Sequence, residues 1–182
     1  MLASRCLLAA ALGAALPFAA IAQDTPQGAP TADAAFVKEA SAAGLAEVAL
    51  GQMGASQGST DQVKTFGQQM VTDHEKANNE LKGIADTKGL QVSTSPSSTD
   101  EAASKAIGAK SGAAFDQAFG QKMLMDHRKA VALFAKESTS GKDPELKAFA
   151  TKTLPTLKQH LDMAMKLPGA DMKKHAAKAE TP

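Results

Sequence analysis

The sequence predicts an all-α protein whose four long helices form a single bundle. Alanine, glutamine, lysine and leucine dominate the 182 residues, β-branched residues are few, and tyrosine and tryptophan are absent, a composition that favours helices over strands. Four segments of roughly 25 residues carry apolar side chains at helical spacing. Because each segment is amphipathic, a four-helix bundle is the simplest way to bury all four apolar faces.

The first 22 residues are set apart from the fold because they have the pattern of a secretory signal peptide. Arg5 precedes an apolar run from Cys6 to Ile21, and small residues precede the expected cleavage after Ala22. Cys6 is the only cysteine and leaves with this segment, so we expect a mature chain without thiols. We therefore predict an exported protein, with no transmembrane span after the signal is removed.

The expected mature chain has almost no net charge. Loss of Arg5 leaves 19 basic residues against 19 acidic ones. A near-neutral chain has no basic surplus for nucleic acid, and no lysine-rich amphipathic stretch suggests binding to a membrane surface. We therefore expect no nucleic-acid partner.

The first half of the predicted domain, which spans residues 32–168, contains two helices. Residues 23–31 hold two prolines and no periodic pattern, so we interpret them as a flexible leader. The first helix is predicted from about Asp33 to Ser56 and ends at a glycine-containing turn. The second opens at the capping pattern Ser-Thr-Asp-Gln of residues 59–62 and closes at Gly89.

The second half begins with a long connection, residues 90–112, in which a short helix is predicted from Asp100 to Lys110. The third long helix is predicted from about Ala113 to Ser138, followed by a glycine stop. The fourth starts at Asp-Pro-Glu, residues 143–145, which supply a cap, a proline at the first helical position and an acid in the first turn. It runs to Leu167, and residues 169–182 are predicted to be a disordered tail.

Connection lengths predict the topology. Short turns make the first and second helices, and the third and fourth, antiparallel neighbours. The 23-residue connection spans up to about 75 Å, whereas each helix is about 37 Å long, so the chain can recross the bundle. The second and third helices then run parallel, as in ferritin-like bundles. An up-down-up-down bundle remains the alternative.

A thirteen-residue segment occurs twice, at residues 65–77 and 118–130, on the second and third long helices. Eight of the thirteen positions are identical, namely Phe, Gly, Gln, Met, Asp, His, Lys and Ala. This set combines core-type residues with an ionisable pair, which composition alone does not explain. We therefore predict two helices built alike, each presenting one histidine to the interior.

Each long helix places one ionisable residue on its apolar face near its midpoint, and these residues are predicted to meet at the midplane of the bundle: Glu47, His74, His127 and His160. Three imidazoles and a carboxylate suit zinc, copper(II), iron or manganese. Met70 and Met123 lie one turn from two of the histidines and, as thioethers, favour copper. One hypothesis is therefore a metal-binding bundle that stores, buffers or senses a transition metal.

The alternative hypothesis is a metal-free structural or stress-related interaction domain, in which Glu47 accepts hydrogen bonds from the histidines and satisfies the same polar groups. Two further residues also have two interpretations. Asp73 and Asp126 lie about 100° around the helix from the histidines. They either orient an imidazole on a neighbouring helix or form surface pairs with Lys76 and Lys129.

Enzymatic activity is the least supported interpretation, and no catalytic residue or organic cofactor site is predicted. The sequence has no glycine-rich phosphate loop, no nucleophile elbow and no cysteine pair. A di-iron oxidase requires Glu-x-x-His on two helices. The residues three positions before the histidines are Val71, Leu124 and Leu157, which excludes that site.

At these residues the chain resembles the family called domain of unknown function 4142. The resemblance rests on a signal peptide, a Phe…Glu helix, two Met-x-x-Asp-His segments (70–74 and 123–127) and Leu-Pro-x-Leu-x-x-His at 154–160. It implies a ferritin-like four-helix domain, exported by bacteria and often labelled a predicted outer-membrane protein, with no established activity. The expected location is the periplasm, either free or peripherally associated with the outer membrane.

Overall fold

A computed structural model describes residues 31–170, and within this range all regular secondary structure is helical. The five helices are α1 (Thr31–Gln57), α2 (Asp61–Thr87), α3 (Ser98–Gly108), α4 (Gly112–Ser140) and α5 (Pro144–Ala164). All five were predicted, although α3 lies two residues earlier than expected and α5 ends before Leu167. In this part of the chain no helix is both long and apolar enough to span a membrane.

Several predicted features fall at or beyond the ends of the described range. The signal peptide, residues 23–30 of the leader and residues 171–182 of the predicted tail lie outside it. Thr31, assigned to the leader, is the first residue of α1. Gly169 and Ala170, assigned to the tail, follow the last turn, and Ala170 is buried against the bundle.

Side-chain caps fix the starts of α2 and α5, where the sequence predicted helix starts. Thr60 Oγ1 accepts a hydrogen bond from the backbone N–H of Val63 at the start of α2, at 3.4 Å. Asp143 accepts from the backbone N–H of Leu146 at 3.0 Å, and Pro144 occupies the first position of α5. These local contacts explain why element boundaries could be predicted from short sequence patterns.

Two core clusters, one at each end of the bundle, establish the helix directions. The first core cluster combines the early residues of α1 and α5 with the late residues of α2 and α4, including Phe36, Leu81, Phe134 and Phe149. The second core cluster combines the opposite ends, including Leu50, Phe66, Phe119 and Leu167. Hence α2 and α4 run parallel, as predicted, and the up-down-up-down alternative is excluded.

The crossover from α2 to α4 runs along the α1 and α4 side of the bundle. Helix α3 packs against both of these helices. The Ser93 backbone N–H donates to Ser41 Oγ of α1 at 2.8 Å, and Lys122 Nζ of α4 lies 2.7 Å from Asp100 Oδ1 of α3. The crossover is therefore attached to both helices that it covers.

Two buried aspartates hold the tight turns, a feature that the sequence analysis did not identify. Asp33, at the start of α1, accepts hydrogen bonds from the backbone N–H groups of Lys142 and Asp143 at the α4–α5 turn. Asp116, at the start of α4, accepts from the backbone N–H and hydroxyl of Ser59 at the α1–α2 turn, at 2.9 and 2.6 Å. Each hairpin thus satisfies backbone donors of the other.

Candidate metal centre

A polar layer of three histidines lies between the two core clusters. His74 of α2, His127 of α4 and His160 of α5 are 5%, 0% and 1% exposed. Their ring centroids are 5.4 to 5.7 Å apart, which places the rings at the corners of a nearly equilateral triangle. One nitrogen from each ring lies within 4.8 Å of the others, close enough for one ion to contact all three.

Each histidine uses one ring nitrogen in a hydrogen bond to an oxygen atom. His74 Nδ1 lies 2.9 Å from Glu47 Oε2, and His160 Nε2 lies 2.9 Å from Asp73 Oδ2. His127 Nδ1 lies 2.9 Å from the backbone carbonyl oxygen of Met123. Since a carbonyl or an ionised carboxylate only accepts, the nitrogen facing it must carry the proton.

The other nitrogen of each ring has no hydrogen-bond partner among residues 31–170. These atoms are His74 Nε2, His127 Nε2 and His160 Nδ1, and all three are buried. In a neutral ring the proton sits on the bonded nitrogen, so the remaining nitrogen presents a lone pair. Histidines that bind metals have this arrangement, with the far N–H donated to a carboxylate or a backbone carbonyl.

Glu47 lies behind the rings in the structure and does not join the converging nitrogens, although the sequence analysis counted it as a fourth ligand. Its carboxylate is 2% exposed and is held by His74. The second oxygen, Oε1, lies 3.6 Å from His127 Nδ1, which is too long for a hydrogen bond, and finds no partner in the described chain. The residues whose atoms lie close enough together to hold one ion are therefore the three histidines.

The polar layer shifts the pKa values of its own groups. Burial alone raises the pKa of Glu47, but the positive charges of His74 and His127 outweigh it and lower this pKa to about 2. For His74, burial lowers the pKa but the Glu47 carboxylate outweighs it, so the pKa is raised. Burial lowers the pKa of His160 to about 4, against the opposing effect of Asp73. Protonation of His74 at Nε2 therefore competes with the binding of an ion at that nitrogen.

The two repeat aspartates have different partners. Asp73 orients the imidazole of His160 on a neighbouring helix, as one of the two interpretations proposed. Asp126 instead contacts Lys122 Nζ at 2.6 Å, one turn earlier in α4. Within the described residues neither aspartate pairs with the lysine three positions later, so the surface-pair interpretation does not match the structure.

Met70 and Met123 are fully buried in the second core cluster, on the side of the histidines towards the starts of α2 and α4. Met123 also contributes its backbone carbonyl oxygen to the orientation of His127. A backbone role of this kind has no signal in the sequence.

A small cavity lies beside the histidines and is lined by residues of all four long helices. Its volume is about 30 Å³, and its lining includes Glu47, His74 and His160. This volume is enough for one water molecule or one small ligand. Three histidine ligands with an adjacent space for a further ligand are the arrangement that zinc sites with an open position use.

Comparison with known proteins identifies the family. No curated protein and no solved structure matches the chain. The model of a family described as a domain of unknown function (DUF4142) matches residues 18–167, a range that contains all five helices. The match confirms the resemblance carried by the two Met-x-x-Asp-His segments. The chain belongs to the DUF4142 family.

Proposed function

We propose that this protein binds one divalent transition-metal ion through His74 Nε2, His127 Nε2 and His160 Nδ1. The observation that carries the proposal is that each of the three rings has one buried nitrogen with no partner in the described chain. The rings bring one nitrogen each to within 4.8 Å of the other two. An oxygen atom accepts a hydrogen bond from the opposite nitrogen of each ring. The oxygen acceptors fix the tautomers in the form that metal binding needs.

The energetics favour an ion over a metal-free network. Each buried polar atom that lacks a partner costs about 1–3 kcal/mol of desolvation. In the metal-free arrangement Glu47, Asp73 and Met123 satisfy one nitrogen of each ring and leave the other three nitrogens unpaired among residues 31–170. A single ion satisfies all three at once.

The charges also fit a divalent cation. Glu47 and Asp73 bring two carboxylates to the layer, one behind His74 and one behind His160. Two negative charges balance a 2+ ion in a buried site, where an unbalanced charge is costly. Imidazole ligands suit copper(II), zinc and iron(II) and leave the choice among these metals to experiment.

We further propose that the mature protein acts in the periplasm as a buffer or sensor of this metal. The basis is the signal-peptide pattern of residues 1–22. The one candidate site found within residues 31–170 suits reversible binding of one ion better than bulk storage.

Elemental analysis tests the proposal directly. The mature chain from Gln23, purified from the periplasm without a histidine tag, should contain nearly one metal ion per chain. His74→Ala/His127→Ala should lose it, because two of three ligands are gone. His175→Ala, which changes the one histidine outside residues 31–170, is the matched control and should retain it.

A wild-type protein that stays metal-free after incubation with copper, zinc, iron and manganese would contradict metal binding. The histidine layer would then be a structural core network, and the alternative of a metal-free interaction domain would stand.

A further inference from the structure

A groove lies under the crossover, between α1 and α4, and reaches Glu47 at the edge of the polar layer. Its volume is about 500 Å³, and its floor is formed mainly by alanines of α1. Four acidic and two basic side chains line it: Glu39, Glu47, Asp100, Asp126, Lys38 and Lys129. Four negative and two positive charges sum to −2, and Lys122 Nζ, which contacts Asp100 and Asp126 at 2.7 and 2.6 Å, offsets one of these negative charges, so the groove keeps a small net negative charge.

Glu47 connects this groove to the histidines. It lines both the groove and the small cavity beside His74 and His160. Its Oε1 atom is buried and has no hydrogen-bond partner in residues 31–170, while Oε2 contacts His74. One residue thus lines the groove and also holds a ring of the proposed metal site.

We propose that the groove under the crossover is the entrance through which the metal ion reaches the three histidines, with Glu47 as the carboxylate at its inner end. The inference rests on the proposed metal binding. The histidines are almost fully buried, so an ion needs a path that replaces its hydration step by step. Carboxylate oxygens along the groove can take over from lost water molecules.

The small cavity beside the histidines is less suited as an entrance for a cation. Its volume is about 30 Å³, and apart from Asp73 and Glu47 its charged or ionisable lining consists of the histidines themselves. Alanine, leucine, phenylalanine and threonine side chains form most of the remaining lining. An ion entering through this cavity would therefore lose its water against a mostly apolar wall.

Binding kinetics of Co²⁺ to the metal-free mature protein test the entrance. Ala42 lines the groove and not the small cavity, and it lies away from the ligands. Ala42→Phe should slow both association and dissociation by about tenfold and leave Kd unchanged, because an obstacle in the path raises the barrier equally in both directions. Thr153→Leu narrows the small cavity and not the groove, so it is the matched control, with both rates expected to stay at the wild-type values.

A second variant tests the charge of the groove. Asp126→Asn should lower the association rate several-fold at low salt, and the difference should shrink at high salt because the attraction is screened. This measurement does not depend on added bulk, so it also covers the case in which Ala42→Phe folds poorly.

The outcomes separate the two proposals. If wild type binds no Co²⁺, both metal binding and the entrance are overturned. If wild type binds Co²⁺ and both Ala42→Phe and Asp126→Asn bind it at the wild-type rates, only the entrance is overturned. The same holds if Thr153→Leu is the only variant that binds Co²⁺ more slowly than wild type.

Discussion

At the scale of single residues, the buried carboxylates have two separate structural roles. Asp33 and Asp116 accept hydrogen bonds from turns and join the two hairpins. Glu47 and Asp73 accept from imidazoles and set their tautomers. The sequence indicated the polar layer, because each of these histidines interrupts an apolar stripe. The sequence could not show that Glu47 lies behind the rings, because the position of a residue along its helix does not determine where the end of its side chain lies.

Removal of the Glu47 charge should weaken metal binding without removing a ligand. Glu47→Gln keeps an oxygen acceptor for His74 but loses the negative charge that balances the ion. Changes of this kind behind a metal-bound histidine typically cost about 10–100-fold in affinity. Competitive titration against a chromophoric chelator measures the loss. Glu39→Gln, on the same helix and far from the rings, should keep wild-type affinity, and equal affinities for all three proteins would contradict the assigned role.

The low pKa of His160 predicts a pH-dependent stability of the metal-free protein. The folded pKa is about 4 against 6.5 for the free side chain, so between these values the unfolded chain binds a proton that the folded chain excludes. The free energy of unfolding should therefore fall as pH drops from 6.5 towards 4, by about 3 kcal/mol in total from this residue.

Other groups in the layer act in different pH windows. Glu47 contributes stability that is lost only as pH falls from 4.5 towards about 2. His74 contributes stability that is present below pH 6.5 and is lost as pH rises through its raised pKa. Burial raises the pKa values of Asp126 and Glu137, so the folded protein binds their protons first and these two groups oppose the effect of His160 as pH falls. The change of slope between wild type and His160→Gln in urea unfolding from pH 4.5 to 6.5 therefore measures the contribution of His160. An unchanged slope in that variant would show that another group is responsible.

At the scale of the elements, the repeated segment is explained position by position. Its phenylalanines, Phe66 and Phe119, contact each other edge to face at a centroid distance of 6.1 Å. Its glycines allow close approach: a Cβ atom on Gly67 would lie 2.5 Å from the Ala55 backbone nitrogen, and one on Gly120 would meet the carbonyl oxygen of Pro168. Helix positions were predictable because period and caps are local, whereas these contacts depend on the partner helix.

Replacement of two glycines of α2 by alanine should change the stability of the fold in opposite directions. Gly67→Ala forces a methyl group against the backbone of α1 and should destabilise the fold by about 1–3 kcal/mol. Gly83 is exposed, and a methyl group added there would meet no atom of residues 31–170 within 4 Å, so Gly83→Ala should stabilise α2 by up to about 1 kcal/mol through helix propensity. Thermal or urea unfolding measures both. A shift of the same sign in the two variants would contradict the close-approach interpretation.

At the scale of the whole molecule, the parallel arrangement of α2 and α4 brings the two copies of the repeat to one level. The connection lengths predicted that topology, and the two core clusters confirm it. The attachment of the crossover could not be predicted, because Lys122 and Asp100 are 22 positions apart and meet only after α3 has docked.

Metal binding should protect α2, α4 and α5 from hydrogen exchange more than α3. The proposed ligands lie on α2, α4 and α5, and an ion at 100 times its Kd adds about 2.7 kcal/mol to the folded state. Hydrogen exchange monitored by mass spectrometry should therefore slow by up to about 100-fold in peptides around the three histidines. Peptides of α3, which carries no ligand, serve as the internal comparison, and equal slowing there or none anywhere would contradict the assigned ligands.

The distribution of the histidines over the two hairpins has one more consequence. His74 belongs to the α1–α2 hairpin, while His127 and His160 belong to the α4–α5 hairpin, and the chain joins these halves only through the crossover. An ion held by all three would be a cross-link between the halves, placed where many exported proteins use a disulfide. Beyond residue 22 this sequence contains no cysteine. Such a cross-link would open and close with metal supply and acidity instead of redox potential.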